Sequence, residues 1–241
     1  MKKAKKVLFI AISLFVLVAI YFIVDPFQNT SLKNDLTGDI VYLKRDNGIL
    51  KLYHSSANLS ESRVLSSNGG STEDNKNIID FYREDDIIYF LAMKDERWAL
   101  FSIPVAGGET QFIAYEEELD PDLQKRMQFS KIDIEMNYGI YSEKGSLYRI
   151  LESGEIETLK KYPGFYDSKF NPGYTPLAVS PDKNYLLFSS SGRISAIDSI
   201  AIGMLKQVFG QDDQSKIYVM DLNTLKTGSY IDGIGNIEWL D

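Results

Sequence analysis

The sequence contains no cysteine and a single histidine, His54, among its 241 residues. Without thiols there is no disulfide framework, no cysteine nucleophile and no lipid anchor on a thiol, so the folded part must be held by its core alone. One imidazole and no thiolate also exclude zinc ligation by histidine and cysteine sets. His54 stands at the end of an apolar run beside Ser55 and Ser56, but no Gly-x-Ser-x-Gly elbow accompanies it. Gly-x-Gly-x-x-Gly and P-loop patterns are absent too, and Val105-Ala106-Gly107-Gly108 reads as a hairpin turn. The catalytic inventory is poor, and no cofactor and no metal are implied.

Positive charge is the next scarcity. There are 26 Lys and Arg against 34 Asp and Glu, a net charge of −8. Lys2, Lys3, Lys5 and Lys6 precede everything else, and without these four the remainder stands at −12. A body so acidic repels nucleic acid and anionic headgroups, which excludes nucleic acid as its main partner.

Behind the lysines lies an uncharged apolar run, Val7 to Val24. At 1.5 Å rise per residue its 18 residues reach about 27 Å, enough to cross a bilayer as a helix. A cleavable signal peptide would have an apolar region of about 7 to 15 residues ending at a small-x-small site. Here the run passes into Tyr21-Phe22-Ile23-Val24-Asp25-Pro26 with no such site. Residues 1–6 are therefore expected to be a cytoplasmic basic tail and 7–24 an uncleaved transmembrane signal anchor. The lysine flank orients the N-terminus inward, which makes the protein single-pass at the cell membrane with its C-terminal domain extracytoplasmic. Residues 25–38, with Pro26, Asn29, Ser31, Asn34 and Gly38, read as a short polar linker.

From 39 to 241, β-branched and apolar runs of a few residues alternate with Gly, Asn and Asp turn signals, an all-β pattern. The runs fall into units. Asp39–Lys44, Ile49–His54 and Ser62–Ser66 form one; Asn77–Tyr82, Asp86–Leu91, Trp98–Ile103 and Thr110–Ala114 form a second. Lys131–Met136, Tyr138–Ser142, Gly145–Ile150 and Gly154–Leu159 form a third. Pro176–Ser180, Asn184–Ser189, Lys216–Asp221 and Gly228–Ile231 form a fourth. The recurrence, roughly every 50 residues, is near the spacing of propeller blades. The first unit lacks an innermost strand and the chain ends with a spare one, Asn236–Asp241. A β-propeller of about four blades, with the C-terminal strand closing the first blade, is the simplest arrangement. An open arc, or an oligomer completing the ring, is the competing one.

Val179-Ser180-Pro181-Asp182-Lys183-Asn184-Tyr185-Leu186-Leu187-Phe188, followed by Lys216-Ile217-Tyr218-Val219-Met220-Asp221-Leu222, resembles the WD40-like repeat of TolB-type propellers. Leu100-Phe101-Ser102-Ile103-Pro104-Val105-Ala106-Gly107-Gly108-Glu109 is similar to the strand-turn-strand part of that repeat. The other units depart from the signature and share its rhythm. The resemblance implies a binding scaffold and carries over no catalytic residues.

Three stretches are candidates for function. In the insertion 194–210, Ile197, Ile200, Met204, Leu205 and Val208 recur at helical spacing, the pattern of a short amphipathic helix that either covers its own domain or docks on a partner. The connector between the third and fourth units carries Tyr162, Phe165, Tyr166, Phe170 and Tyr174, which either offer stacking faces to a sugar or peptide or fill the space between blades. Acids recur on the innermost strands at Asp80, Asp133, Glu135 and Glu238, where they can converge on a central channel or bond locally. Glu84-Asp85-Asp86 and the acidic run 116–122 lack the order of a calcium loop.

Together these features point to a membrane-anchored, extracytoplasmic β-propeller that binds a protein or cell-wall component without catalysis. The alternatives are a carbohydrate-active enzyme using Asp80, Asp133 and Glu238, or a structural subunit of a membrane complex.

Overall fold

Asn47 and Gly48 both adopt positive φ, 50° and 82°, and so form the two-residue turn whose twist matches that of paired strands. They join β1 (Asp39–Asp46) to β2 (Ile49–Ser56), the first of a series of antiparallel hairpins. The computed structural model describes residues 31–66, 77–121, 134–163, 166–168, 172–190, 216–232 and 234–240. Within them the strands run β3 (Ser62–Ser66), β4 (Ile78–Glu84), β5 (Ile87–Lys94), β6 (Arg97–Pro104), β7 (Gln111–Tyr115), β8 (Ile140–Glu143), β9 (Ser146–Ile150) and β10 (Ile156–Lys160). They continue with β11 (Tyr174–Val179), β12 (Tyr185–Ser190), β13 (Lys216–Asp221), β14 (Thr227–Asp232) and β15 (Ile234–Leu240).

These strands make four antiparallel sheets: β15-β1-β2-β3, β4-β5-β6-β7, β8-β9-β10 and β11-β12-β13-β14, numbered one to four below. The last described strand does pair with the first, with Ile40 opposite Trp239 and Tyr42 opposite Ile237. The sheets stack face on face through three core clusters. Ile40, Tyr42, Leu187, Val219 and Ile237 join sheets one and four; Val41, Leu52, Ile88, Phe90 and Phe101 join one and two; Ile140, Leu147, Leu186 and Phe188 join three and four. The order is thus two, one, four, three. Among the described residues no such cluster joins sheets two and three; the other face of sheet two is packed by Tyr82, Leu100 and Leu119.

The third sheet differs from expectation. Ile134–Tyr138 is a helical turn, α2, where an innermost strand was anticipated over 131–136. Ile134 and Tyr138, four apart, both pack against the core between sheets three and four, while Met136 is exposed. Gly139, at φ 64°, ends the turn by donating its N–H to Glu135 O at 2.9 Å. Among the described residues sheet three therefore has three strands. Its sharpest backbone contact is between turns: a Cβ on Gly173 would lie 2.4 Å from Gly145 Cα, and Tyr174 N–H donates to Gly145 O at 3.0 Å. Only glycine fits there.

Residues 31–38 are part of this body. α1 (Ser31–Asn34) buries Leu32, and Leu36 follows it into the cluster between sheets one and four. The last part of the stretch read as a linker is thus core rather than tether. The basic tail 1–6, the apolar run 7–24 and the insertion 194–210 lie outside the described residues. No described helix is long and apolar enough to cross a membrane.

Candidate functional site

Because successive side chains on a strand point to opposite faces, Asn236 and Glu238 leave β15 on one side while Ile237 and Trp239 enter the core on the other. Across from them, β4 offers Asp80 and Arg83. Asn236 Nδ2 donates to Asp80 Oδ1 at 2.9 Å and to Phe81 O at 3.4 Å; Asp80 Oδ1 also accepts from Phe81 N–H at 3.0 Å. Arg83 Nε donates to Glu238 Oε1 at 3.3 Å, with both side chains mostly shielded. Two of the four acids expected on innermost strands, Asp80 and Glu238, lie on β4 of sheet two and β15 of sheet one, where side-chain contacts link the two strands. Each is already bonded to another side chain. The two contacts form a seam between sheets one and two. Asp133 lies outside the described residues, and Glu135 sits in α2 rather than on a strand.

The aromatic connector divides. Tyr162 and Tyr174 are buried, in edge-to-face contact at 5.2 Å, and Tyr174 continues to Phe188 at 5.4 Å and Phe188 to Tyr218 at 5.5 Å. Burial, with Tyr162 beside it, pushes the Tyr174 hydroxyl up to about 12. Those two rings are core between sheets three and four and offer no face to a ligand. Tyr166 is exposed; Phe165 and Phe170 lie outside the described residues. So do Ile197, Ile200, Met204, Leu205 and Val208.

His54 lies 3.3 Å from Asp39 through Nε2. Burial lowers its pKa, Asp39 opposes that effect, and Arg63 adds to it. Ser55 Oγ donates to Glu61 O and Ser56 Oγ to Asn58 Oδ1, so both serines hold the β2–β3 turn and neither meets the imidazole. No group of three or more His, Cys, Asp or Glu able to hold a metal ion occurs among the described residues.

The Ser-Pro-Asp signature is also accounted for by its local bonds. Ser180 Oγ donates to Asp182 Oδ1 at 2.5 Å and accepts from Tyr185 N–H at 2.9 Å. Asp182 accepts from Asn184 N–H at 3.1 Å, while Lys183 takes φ 60°. The Ser180 hydroxyl holds the Asp182 carboxyl below its usual range. At the same end of sheet four, burial alone would raise Asp221, yet the Thr224 and Asn223 amides keep it low. Asn223 Nδ2 then ties that turn to Asn184 Oδ1 at 3.1 Å. The motif is a pair of interlocked turns.

One concavity was not anticipated. A cleft of about 440 Å³ is lined by Lys33, Asn34, Asn58, Ser60, Ser229 and Tyr230, which come from α1, the β2–β3 turn and β14. Tyr230 closes its base by donating to Ala57 O at 2.6 Å. No single stretch of sequence signals it, because three distant segments each contribute a side chain or two.

No family model and no curated protein matches the chain. Among solved structures it is similar to TolB from Acinetobacter baumannii, at 12% identity and a TM-score of 0.26, over 80% of this chain and 41% of that one. It is similar to a TolB from Agrobacterium tumefaciens at 12% identity and a TM-score of 0.27, over 81% of this chain and 61% of that one. It is also similar to an oligogalacturonate lyase determined with manganese, at 14% identity and a TM-score of 0.23, over 81% of this chain and 62% of that one. The chain thus spans less than two thirds of the length of each.

Proposed function

We propose that the protein is a membrane-anchored, extracytoplasmic propeller module that binds a protein or cell-wall component and does no chemistry of its own. The observation that carries the non-catalytic reading is the seam. Asp80 and Glu238, the acids best placed for chemistry, are spent on Asn236 and Arg83, and the repeat signature is spent on turns. Among the described residues, what remains for function is surface, the cleft beside Tyr230 included. Anchoring draws on the lysine flank and the run 7–24, with Leu32 and Leu36 already in the core a few residues further on. Seven residues from Val24 to Ser31, at no more than about 3.6 Å each, would keep the body within roughly 25 Å of the bilayer.

Closure of the ring between sheets two and three belongs to the same reading. Arg149 reaches Leu222 O on sheet four, so Tyr148 and Ile150 face the other way, and Ile156 pairs with Ile150 on that face. Ile156 is 63% exposed there, and Ile87 is exposed on the free face of sheet two; a closed ring would cover both. The cysteine-free chain makes this testable with Ile87→Cys and Ile156→Cys together. A bismaleimide should join the two within one chain, and crosslinks found only between chains would overturn closure.

A compartment-sensitive reporter fused after Asp241 tests the address: activity outside the cytoplasm is expected, and activity inside it refutes the anchor's orientation. Turnover of a cell-wall polysaccharide that disappears in Asp80→Asn would refute the non-catalytic reading.

A further inference from the structure

Each sheet ends in an outer strand, β3, β7, β10 or β14, with no strand paired beyond it among the described residues. The bare N–H and C=O groups of such an edge are a template for another chain, and folded proteins commonly guard them with charge. Arg63 in β3, Glu157 and Lys160 in β10, and Asp232 in β14 supply that charge; β7, Gln-Phe-Ile-Ala-Tyr, has none. Its centre is apolar and open, with Phe112 39% and Ile113 42% exposed. The Phe112 ring is held in place edge-on to Phe101 and Tyr115, with the Lys94 ammonium 3.8 Å above it. Ile113 falls between the pairs Phe112–Phe101 and Ala114–Leu100, so no residue stands opposite it on β6.

The ends of this strand are acidic. Glu109 precedes it and Glu116, Glu117 and Glu118 follow it. Arg97 bridges Glu117 and Glu118 and lies 3.6 Å over the Tyr115 ring, but the excess remains: residues 77–121 hold eleven acids and three bases, a net charge of −8. That pattern disfavours a second copy of the chain. Antiparallel self-pairing centred on Ile113 would set Glu109 against Glu117, and like charges directly opposite are destabilising.

We propose that β7 is a docking edge for an extended segment of a partner protein, apolar at alternate positions and carrying Lys or Arg at its ends, which adds a strand to sheet two. Main-chain hydrogen bonds along the edge supply affinity, the Phe112–Ile113 surface reads the apolar positions, and the acidic flanks select the basic ends. This names the partner's chemistry for the binding module proposed above and rests on that reading.

The test uses the full chain in detergent and two short synthetic peptides, with valine and threonine alternating through the centre and either lysine or glutamate at both ends. The lysine peptide should bind saturably and at least about tenfold more tightly than its glutamate twin, with affinity falling as salt rises. Amide exchange should slow across residues 111–115. Ile113→Lys should weaken binding about tenfold, while Val64→Lys on β3 should change it less than about twofold, both variants keeping the circular dichroism of the parent. Equal binding of the two peptides, binding of neither, or protection outside 111–115 would overturn the assignment. Concentration-dependent protection of β7 without peptide would overturn it in favour of a second copy. Any of these with the reporter still active outside the cytoplasm would leave the wider reading standing.

Discussion

Ile40 and Trp239 stand opposite each other on β1 and β15, and the Trp239 indole N–H donates to Thr37 O at 3.1 Å, so one end of the described body is bonded to the other. Trp239 is almost fully buried in the cluster between sheets one and four. Trp239→Ala should cost about 3 to 5 kcal/mol in urea unfolding, and Trp239→Phe, which keeps most of the apolar volume but loses the donor, about 1 to 2 kcal/mol. Equal costs for the two would show that the indole bond contributes nothing.

The seam between sheets one and two predicts a coupled pair. With Arg83 and Glu238 side chains only 18% and 14% exposed, removing either takes one ionic contact from a shielded charge. Glu238→Met or Arg83→Met alone should destabilise by about 1 to 3 kcal/mol, and the double variant by clearly less than the sum. Simple additivity in a double-mutant cycle would mean the ion pair does not hold the sheets.

Glu96 marks a site of backbone strain. The β5–β6 turn puts Asp95 and Glu96 at φ 49° and 62°, a conformation that suits glycine. Glu96→Gly should raise stability by about 0.5 to 1 kcal/mol, read as a higher melting temperature.

His54 sets a pH dependence. Its folded pKa lies below the ordinary 6.5, so the unfolded chain takes up the proton first. The sign follows: no contribution above about 6.5, and progressive loss of stability as pH falls below it. Asp39 and Arg63 face the ring. His54→Gln should flatten the stability profile between about pH 6.5 and 5, where an unchanged slope would assign it to other groups.

Asp182 should matter in the opposite direction to its exposure. Its carboxylate is held low by Ser180 and Asn184, so the stability it gives is present above 3.8 and lost as pH falls through the folded value. Asp182→Ala should cost about 1 kcal/mol near neutrality and progressively less in acid.

Local chemistry made most of the strands readable, because Asn47-Gly48 and Ser180-Pro181-Asp182 fix their turns by themselves. The terminal pairing was readable as well, since the first unit lacked a strand and the chain's end held one to spare. Tertiary burial was not. Tyr162 and Tyr174 look in sequence like loop aromatics, and their burial comes from Phe188 on a later strand. Ile134 and Tyr138 fit a helical turn, yet Ile132, Ile134 and Met136 also alternate as a strand would, and Gly139 is the local signal that favoured the turn. Leu32 and Leu36 carried a similar four-residue spacing inside a polar stretch. For the candidate site, the sequence placed Asp80 and Glu238 on innermost strands. It could not show that Asn236 and Arg83 would occupy them, because those bonds cross between sheets.

The strand that finishes sheet one is synthesised after every other described strand. While the chain is being made, β1 therefore presents a bare edge, and Ile40 and Tyr42 wait for cover until Ile237 and Trp239 arrive. A product interrupted before residue 234 would keep that edge open to proteases and chaperones, so β15 acts as a completeness check on the described body.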